Sequence, residues 1–85
     1  MSNEAILVKS DDWEGLFING KLVEEGHTLN EGTSRIKYFS SLAKKYNFSL
    51  EDMKEAWVTE GYEEWLYDSG SFHENLSDIN YELDE

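Results

Sequence analysis

An α+β fold is predicted for this 85-residue chain: an N-terminal three-stranded antiparallel sheet with a β-hairpin, one amphipathic helix packed on it, a further strand and a short C-terminal helix. Three observations carry that prediction. Asn19-Gly20 stands between two runs of strand formers, apolar residues recur at three- and four-residue steps from Ser34 to Tyr46, and Trp57-Val58-Thr59 form an aromatic and β-branched cluster closed by Gly61. Strands and helices that segregate along the chain in this way belong to the class that packs helices against a sheet.

The elements follow in order. Ala5 to Lys9 is a short apolar run rich in branched residues, and Ser10-Asp11-Asp12 is a polar break, so a first strand ends at Lys9. Trp13 to Ile18 and Lys21 to Glu25 flank Asn19-Gly20. A two-residue type I′ turn needs positive φ at both central positions, and Asn-Gly supplies it at little cost. Gly26-His27 is expected to bulge or to end the third strand, after which Asn30 or Thr33 serves as a helix N-cap. In the helix from Ser34 to Tyr46, residues Ile36, Phe39, Leu42, Ala43 and Tyr46 fall on one face, while Arg35, Lys37, Lys44 and Lys45 fall mostly on the wet side. Ser49 with Asp52 resembles a capping box, but the strand formers and Gly61 beyond it argue for a polar turn at Ser49 to Asp52. A strand then runs from about Met53 to Thr59, followed by a short helix from Tyr62 to Tyr67 that ends near Gly70.

Length allows one domain, expected to span residues 1–79, with a radius of gyration of about 12 Å and a modest core. Residues 80–85 read as an acidic flexible tail, because Leu83 is isolated among acids and Tyr81 is the last large ring. The chain has no cysteine, so no disulfide framework or thiolate metal site can support the core. No apolar run approaches the ~18–20 residues of a membrane span, and the short run at Ala5 to Val8 lacks a basic flank, so the reading is cytoplasmic, with no membrane partner.

Charge is the most uneven property of the chain. Residues 51–85 hold twelve carboxylates against one cation, Lys54, a formal −11, whereas residues 1–50 hold seven acids against six Lys and Arg, a formal −1. A compact surface of one sign attracts the other, so a basic partner is expected. The acidic part also carries Trp57, Tyr62, Trp65, Tyr67, Phe72 and Tyr81, too many rings for a disordered acidic segment. Trp57 and Trp65 are expected in the core. Tyr67 or Phe72, exposed beside the acids, would make an interface anchor within a polar rim.

Two blocks, Trp13-Glu-Gly-Leu-Phe-Ile-Asn-Gly-Lys-Leu-Val-Glu-Glu-Gly-His27 and Trp65-Leu-Tyr-Asp-Ser-Gly-Ser-Phe-His-Glu-Asn-Leu-Ser-Asp78, cover about a third of the chain. Together they resemble a group of small, functionally uncharacterised proteins of bacteria and their phages. That group carries proline before the Glu-Asn-Leu, where His73 stands here. The resemblance implies a short strand, a helix and a strand between the blocks and a bacterial or phage origin. It implies no activity.

Sequence signatures of catalysis are absent: no G-x-S-x-G elbow, no glycine-rich phosphate loop, no H-E-x-x-H, no Cys-His pair and no G-x-G-x-x-G. His27 and His73 sit in different loops without further ligands at helical spacing, so no metal site is expected. The stretch from Asp68 fails as a calcium loop, because position six is His73 and position twelve is Ile79. Glu74, Asn75 and Asp78 read instead as capping and turn residues, with Leu76 and Ile79 pinned to the core. Neighbouring acids such as Glu63-Glu64 or Asp11-Asp12 diverge on a strand or helix and make poor catalytic pairs.

The expected function is therefore non-enzymatic and needs no cofactor. An acidic module would modulate or inhibit a basic bacterial protein by docking a carboxylate-rich face on it, with nucleic-acid mimicry as one form of that docking. The contact residues expected are Glu60, Glu63, Glu64, Tyr67, Asp68 and Glu74. Direct binding of nucleic acid is not expected, since phosphate contacts need Lys and Arg. The alternative is a structural or assembly role through the β-hairpin edge.

Overall fold

The computed structural model describes residues 3–11, 13–26 and 34–83. Strands β1 (Ala5–Lys9), β2 (Glu14–Ile18) and β3 (Lys21–Gly26) are followed by helix α1 (Arg35–Tyr46), strand β4 (Lys54–Val58), helix α2 (Glu60–Ser69), a 3-10 turn at Leu76–Asp78 and strand β5 (Tyr81–Leu83). The class is α+β, but the sheet has five strands, not three, in the order β3-β2-β1-β4-β5. Pairing is antiparallel except between β1 and β4, which run parallel. The further strand expected from the sequence, β4, joins the sheet beside β1, and β5 forms from residues expected to be tail. The acidic end is thus ordered as far as Leu83, because pairing with β4 fixes it, and residues 84–85 lie outside the described residues.

Local chemistry explains the connections. Asn19 and Gly20 take φ of 50° and 83°, the paired positive values of a type I′ turn. The bulge lies in the body of the hairpin, with Val23 as the extra residue where the register shifts between Leu16 and Phe17. Gly26 ends β3, and His27 is outside the described residues. Helix α1 is capped by Ser34, whose side chain accepts from the Lys37 N–H, so neither Asn30 nor Thr33, both outside the described residues, holds that position. The helix closes on Asn47 at φ 54°, and Asn3 ties down its end by donating from Nδ2 to the Tyr46 carbonyl at 2.7 Å. Ser49 to Asp52 is a turn, with the Asp52 N–H donating to the Ser49 carbonyl at 3.1 Å, and β4 and α2 follow in the expected order.

Side chains alternate across the sheet, and both faces are covered. On one face Ala5, Leu7, Leu16 and Ile18 meet Phe39 and Leu42 of α1 and Phe48. On the other face Ile6, Val8, Phe17 and Ala56 meet Tyr62 and Leu66 of α2, together with Phe72, Leu76 and Ile79. The unbroken apolar run of β1 is the signature of a strand buried on both sides. Gly15 is required by close approach: a Cβ there would lie 2.7 Å from the Phe72 ring. Leu76 and Ile79 are buried, as expected for residues that pin the last loop.

Several rings and one aliphatic residue depart from expectation. Ile36, assigned to the buried face of α1, is 79% exposed, because its position falls to the side of the arc that Phe39, Leu42 and Tyr46 press on the sheet. Trp57 and Trp65, expected in the core, are 46% and 40% exposed. Trp57 projects from the face that α1 covers only over the other strands, and Trp65 flanks the buried side of α2. Phe72, a candidate for exposure, is buried at 5% in the gap that Gly15 leaves. The radius of gyration is 12.3 Å. Among the described residues no helix is long and apolar enough to cross a membrane.

Candidate acidic docking face

Helix α2 begins without a side-chain cap at Thr59, so Glu60 and Glu63 in its first turn are the local stabilisers of its positive end. It stops at Gly70, whose φ of 81° suits glycine and whose N–H donates to the Leu66 carbonyl. Tyr62 and Leu66 fix which side faces the sheet. With 3.6 residues per turn, Glu60, Glu64, Tyr67 and Asp68 then share an outward arc of about 100°. All four are exposed, Tyr67 at 62%.

Two of the expected contact residues stand apart from this row. Glu63 is half-buried on the flank of the helix and accepts from the Asp11 N–H at 3.1 Å. Glu74 lies beyond the helix, in a segment whose backbone is bonded to the start of β3: the Leu22 N–H donates to the Glu74 carbonyl at 2.9 Å. The geometry therefore brings together Glu60, Glu64, Tyr67 and Asp68.

Helical stability alone would not select this row. Glu60 with Glu64 and Glu64 with Asp68 are like-charged pairs four residues apart, each unfavourable by ~0.2–0.5 kcal/mol. Asp68 also places an anion in the last turn, where the helix dipole favours a cation by roughly 0.3–1 kcal/mol, and no basic residue occupies that turn. Lysines gather across the sheet instead: Lys37 and Lys44 line an open groove on α1 with Ile36, Ser40 and Ser41, and Lys45 pairs with Glu24 at 3.7 Å. The partition of charge along the chain becomes a polarity through the sheet, with the acidic helix on one face and the basic helix on the other.

Behind the acidic row is a polar and aromatic support that the sequence did not signal. The His73 ring stacks on Trp65, with centroids 4.1 Å apart and planes inclined by 14°. The Tyr62 hydroxyl accepts the His73 backbone N–H at 3.1 Å and lies 2.9 Å from His73 Nδ1, so donation from the hydroxyl to Nδ1 satisfies both groups. Burial, with a smaller push from Glu25 and Asp78, raises the Tyr62 pKa above its ordinary 10.0, although the His73 N–H works against that rise. A folded-state value above the unfolded one gives stability that is fully present below pH 10 and is lost as pH rises through the folded value. Replacing Tyr62 by phenylalanine is expected to remove ~1–3 kcal/mol at neutral pH by orphaning the His73 N–H, and to flatten the alkaline fall in stability. Urea titrations from neutral pH to above 10 measure both effects, and an alkaline limb as steep as that of the unsubstituted protein would assign the fall to other groups, Tyr38 among them.

Among the described residues no three His, Asp or Glu side chains converge on a point where a metal ion could sit. No protein-family model, no curated protein and no solved structure matches this chain.

Proposed function

We propose that this protein is a non-catalytic acidic binding module that docks the outward face of α2 on a basic protein, and that it acts in the cytoplasm of a bacterial cell as a modulator or inhibitor. The observation that carries this reading is the row Glu60, Glu64, Tyr67 and Asp68, in which Glu64 and Asp68 repeat negative charge four residues apart behind Glu60 and Asp68 sets an anion at the negative end of the helix, both at a cost in helical stability. Local rules broken without a compensating contact are the mark of functional positions. Tyr67 supplies an area-rich anchor among the carboxylates, and the net charge of −12 steers a basic partner from a distance.

The scale of the row bears on nucleic-acid mimicry. Glu60, Glu64 and Asp68 rise by ~6 Å per step along the helix, or ~12 Å in all, against ~3.4 Å of duplex axis per phosphate of one strand. Such a row covers about three to four phosphates' length, enough to plug one basic pocket and too short to imitate a long duplex. Assembly through the hairpin edge is the less favoured reading, since the Glu74 carbonyl and the Lys21–Asn75 bridge already occupy the start of β3.

The test is affinity capture from bacterial lysate at about 50 mM and about 200 mM salt, with the captured proteins then challenged for displacement of DNA or RNA. A basic protein retained at low salt and released at high salt is the expected result. Capture that ignores salt, or that returns no basic protein, overturns the reading.

A further inference from the structure

The sheet ends in two edges that differ in kind. At β3 the start of the outer edge is already engaged: the Leu22 N–H donates to the Glu74 carbonyl, Lys21 bridges to Asn75, and the Leu76 N–H donates to the Gly20 carbonyl at 2.9 Å. At β5 the pairing with β4 runs Ala56 to Leu83, Trp57 to Glu82 and Val58 to Tyr81. The Thr59 N–H donates to the Asn80 carbonyl at 3.0 Å, so in this antiparallel ladder Asn80 and Glu82 turn their backbone groups toward β4. Tyr81 and Leu83 turn theirs outward. Those N–H and C=O groups form a short template for another strand.

The side chains around this edge are also distinctive. Trp57 sits directly opposite Glu82, on the same face of the sheet. The cluster beneath α1 includes Val23 and reaches Met53, just before β4, but takes in no residue of β4 or β5, so the cover of α1 ends short of Trp57. The indole is accordingly half exposed, with Lys9 Nζ 4.6 Å from its centroid, and Lys9 also pairs with Glu55 at 3.4 Å. On the other face Tyr81 packs against the core and Leu83 is 45% exposed.

We propose that β5 is a second docking site, which accepts an extended basic segment of a protein partner as a sixth strand. This rests on the reading of the partner as basic. A lysine or arginine opposite Glu82 meets its carboxylate, with the Trp57 indole one strand further in, while the alternate side chains of the segment are apolar and lie along Tyr81 and Leu83. Charge selects the occupant. A second copy paired symmetrically about Glu82 would set Glu82 against Glu82, and the sequence from Glu82 onward carries three acids in four residues, so self-pairing juxtaposes like charges.

The experiment is an NMR titration of the full chain with a short acetylated peptide alternating arginine and valine, and with a control that has glutamate in place of arginine. Saturable shifts at Trp57, Tyr81, Glu82 and Leu83, with slowed amide exchange at Tyr81 and Leu83, are expected for the arginine peptide alone. Leu83→Pro removes an outward donor while leaving the β4–β5 hydrogen bonds through Asn80 and Glu82, and is expected to weaken binding about tenfold. Glu82→Lys is expected to reverse the preference toward the glutamate peptide. Absence of saturable shifts, shifts confined to α2, or equal binding by Leu83→Pro overturns the proposal. Glu64→Lys with Asp68→Lys should leave the pattern of peptide shifts at Trp57, Tyr81, Glu82 and Leu83 and the tenfold effect of Leu83→Pro unchanged, so failure of the edge site and failure of the α2 site give different results.

Discussion

Phe17→Ala is expected to remove about 3–5 kcal/mol of folding stability, the range for truncating a buried aromatic. Phe17 is 1% exposed on β2, the largest of the fully buried side chains among the described residues, and meets Phe72 edge-on with centroids 5.9 Å apart. It lies in the layer that also seats Tyr62 and Leu66, so its loss undermines the floor of α2. Single domains have only about 5–15 kcal/mol in total, and a domain of this size loses roughly 4–8 °C of melting temperature per kcal/mol. Urea unfolding followed by tryptophan fluorescence measures the effect. A loss below about 1 kcal/mol would mean that the layer repacks around the gap and that its order is not what holds α2.

Glu64→Lys with Asp68→Lys should separate binding from folding. The partner of the acidic face is expected to lose about 100-fold in affinity at low salt, mostly through association rate, because like charge replaces complementary charge at the contact. Stability is expected to rise by ~1 kcal/mol, since Glu60 gains an opposite charge four residues on and a cation replaces the anion at the negative end of the helix. Lys37→Glu with Lys44→Glu, on the opposite side of the sheet, should leave that affinity unchanged or improved. Calorimetric melting checks the first variant without knowledge of the partner, and surface-immobilised binding checks both once a partner is captured. If the α2 variant melts lower and binds as well, the acids serve the helix and not a partner.

The two variants bear on different levels of the same molecule. Phe17 and Gly15 matter because β2 must accept the Phe72 ring on one face and Leu42 and Phe39 on the other. The acids of α2 matter because that packing leaves one side of the helix with nothing to cover it. Stability lost to the acids is small beside that supplied by the core, which is how an acidic row of this kind can be retained.

Local features were legible in the amino-acid order because their causes lie within a few residues. Asn19-Gly20 has the positive φ values that its turn requires, Phe39, Leu42 and Tyr46 keep the helical period of α1, and Gly70 ends α2 as a left-handed cap. The acidic row was legible in part for the same reason: Glu60, Glu64, Tyr67 and Asp68 recur at three- and four-residue steps, whereas Glu63 turns to the flank and Glu74 belongs to the segment beside β3. The uneven charge was also readable from composition. Which rings are buried was decided only by contacts between distant segments. Phe72 fills the space beside Gly15, and Trp57 stays half bare because α1 stops short of β4. The parallel pairing of β1 with β4, the ordering of Tyr81–Leu83 and the placement of acid and base on opposite faces likewise depend on strand order. Period and turn chemistry act over a few residues, but pairing joins residues some fifty positions apart, as Ile6 joins Lys54, and the choice among such pairings is made by the whole sheet at once.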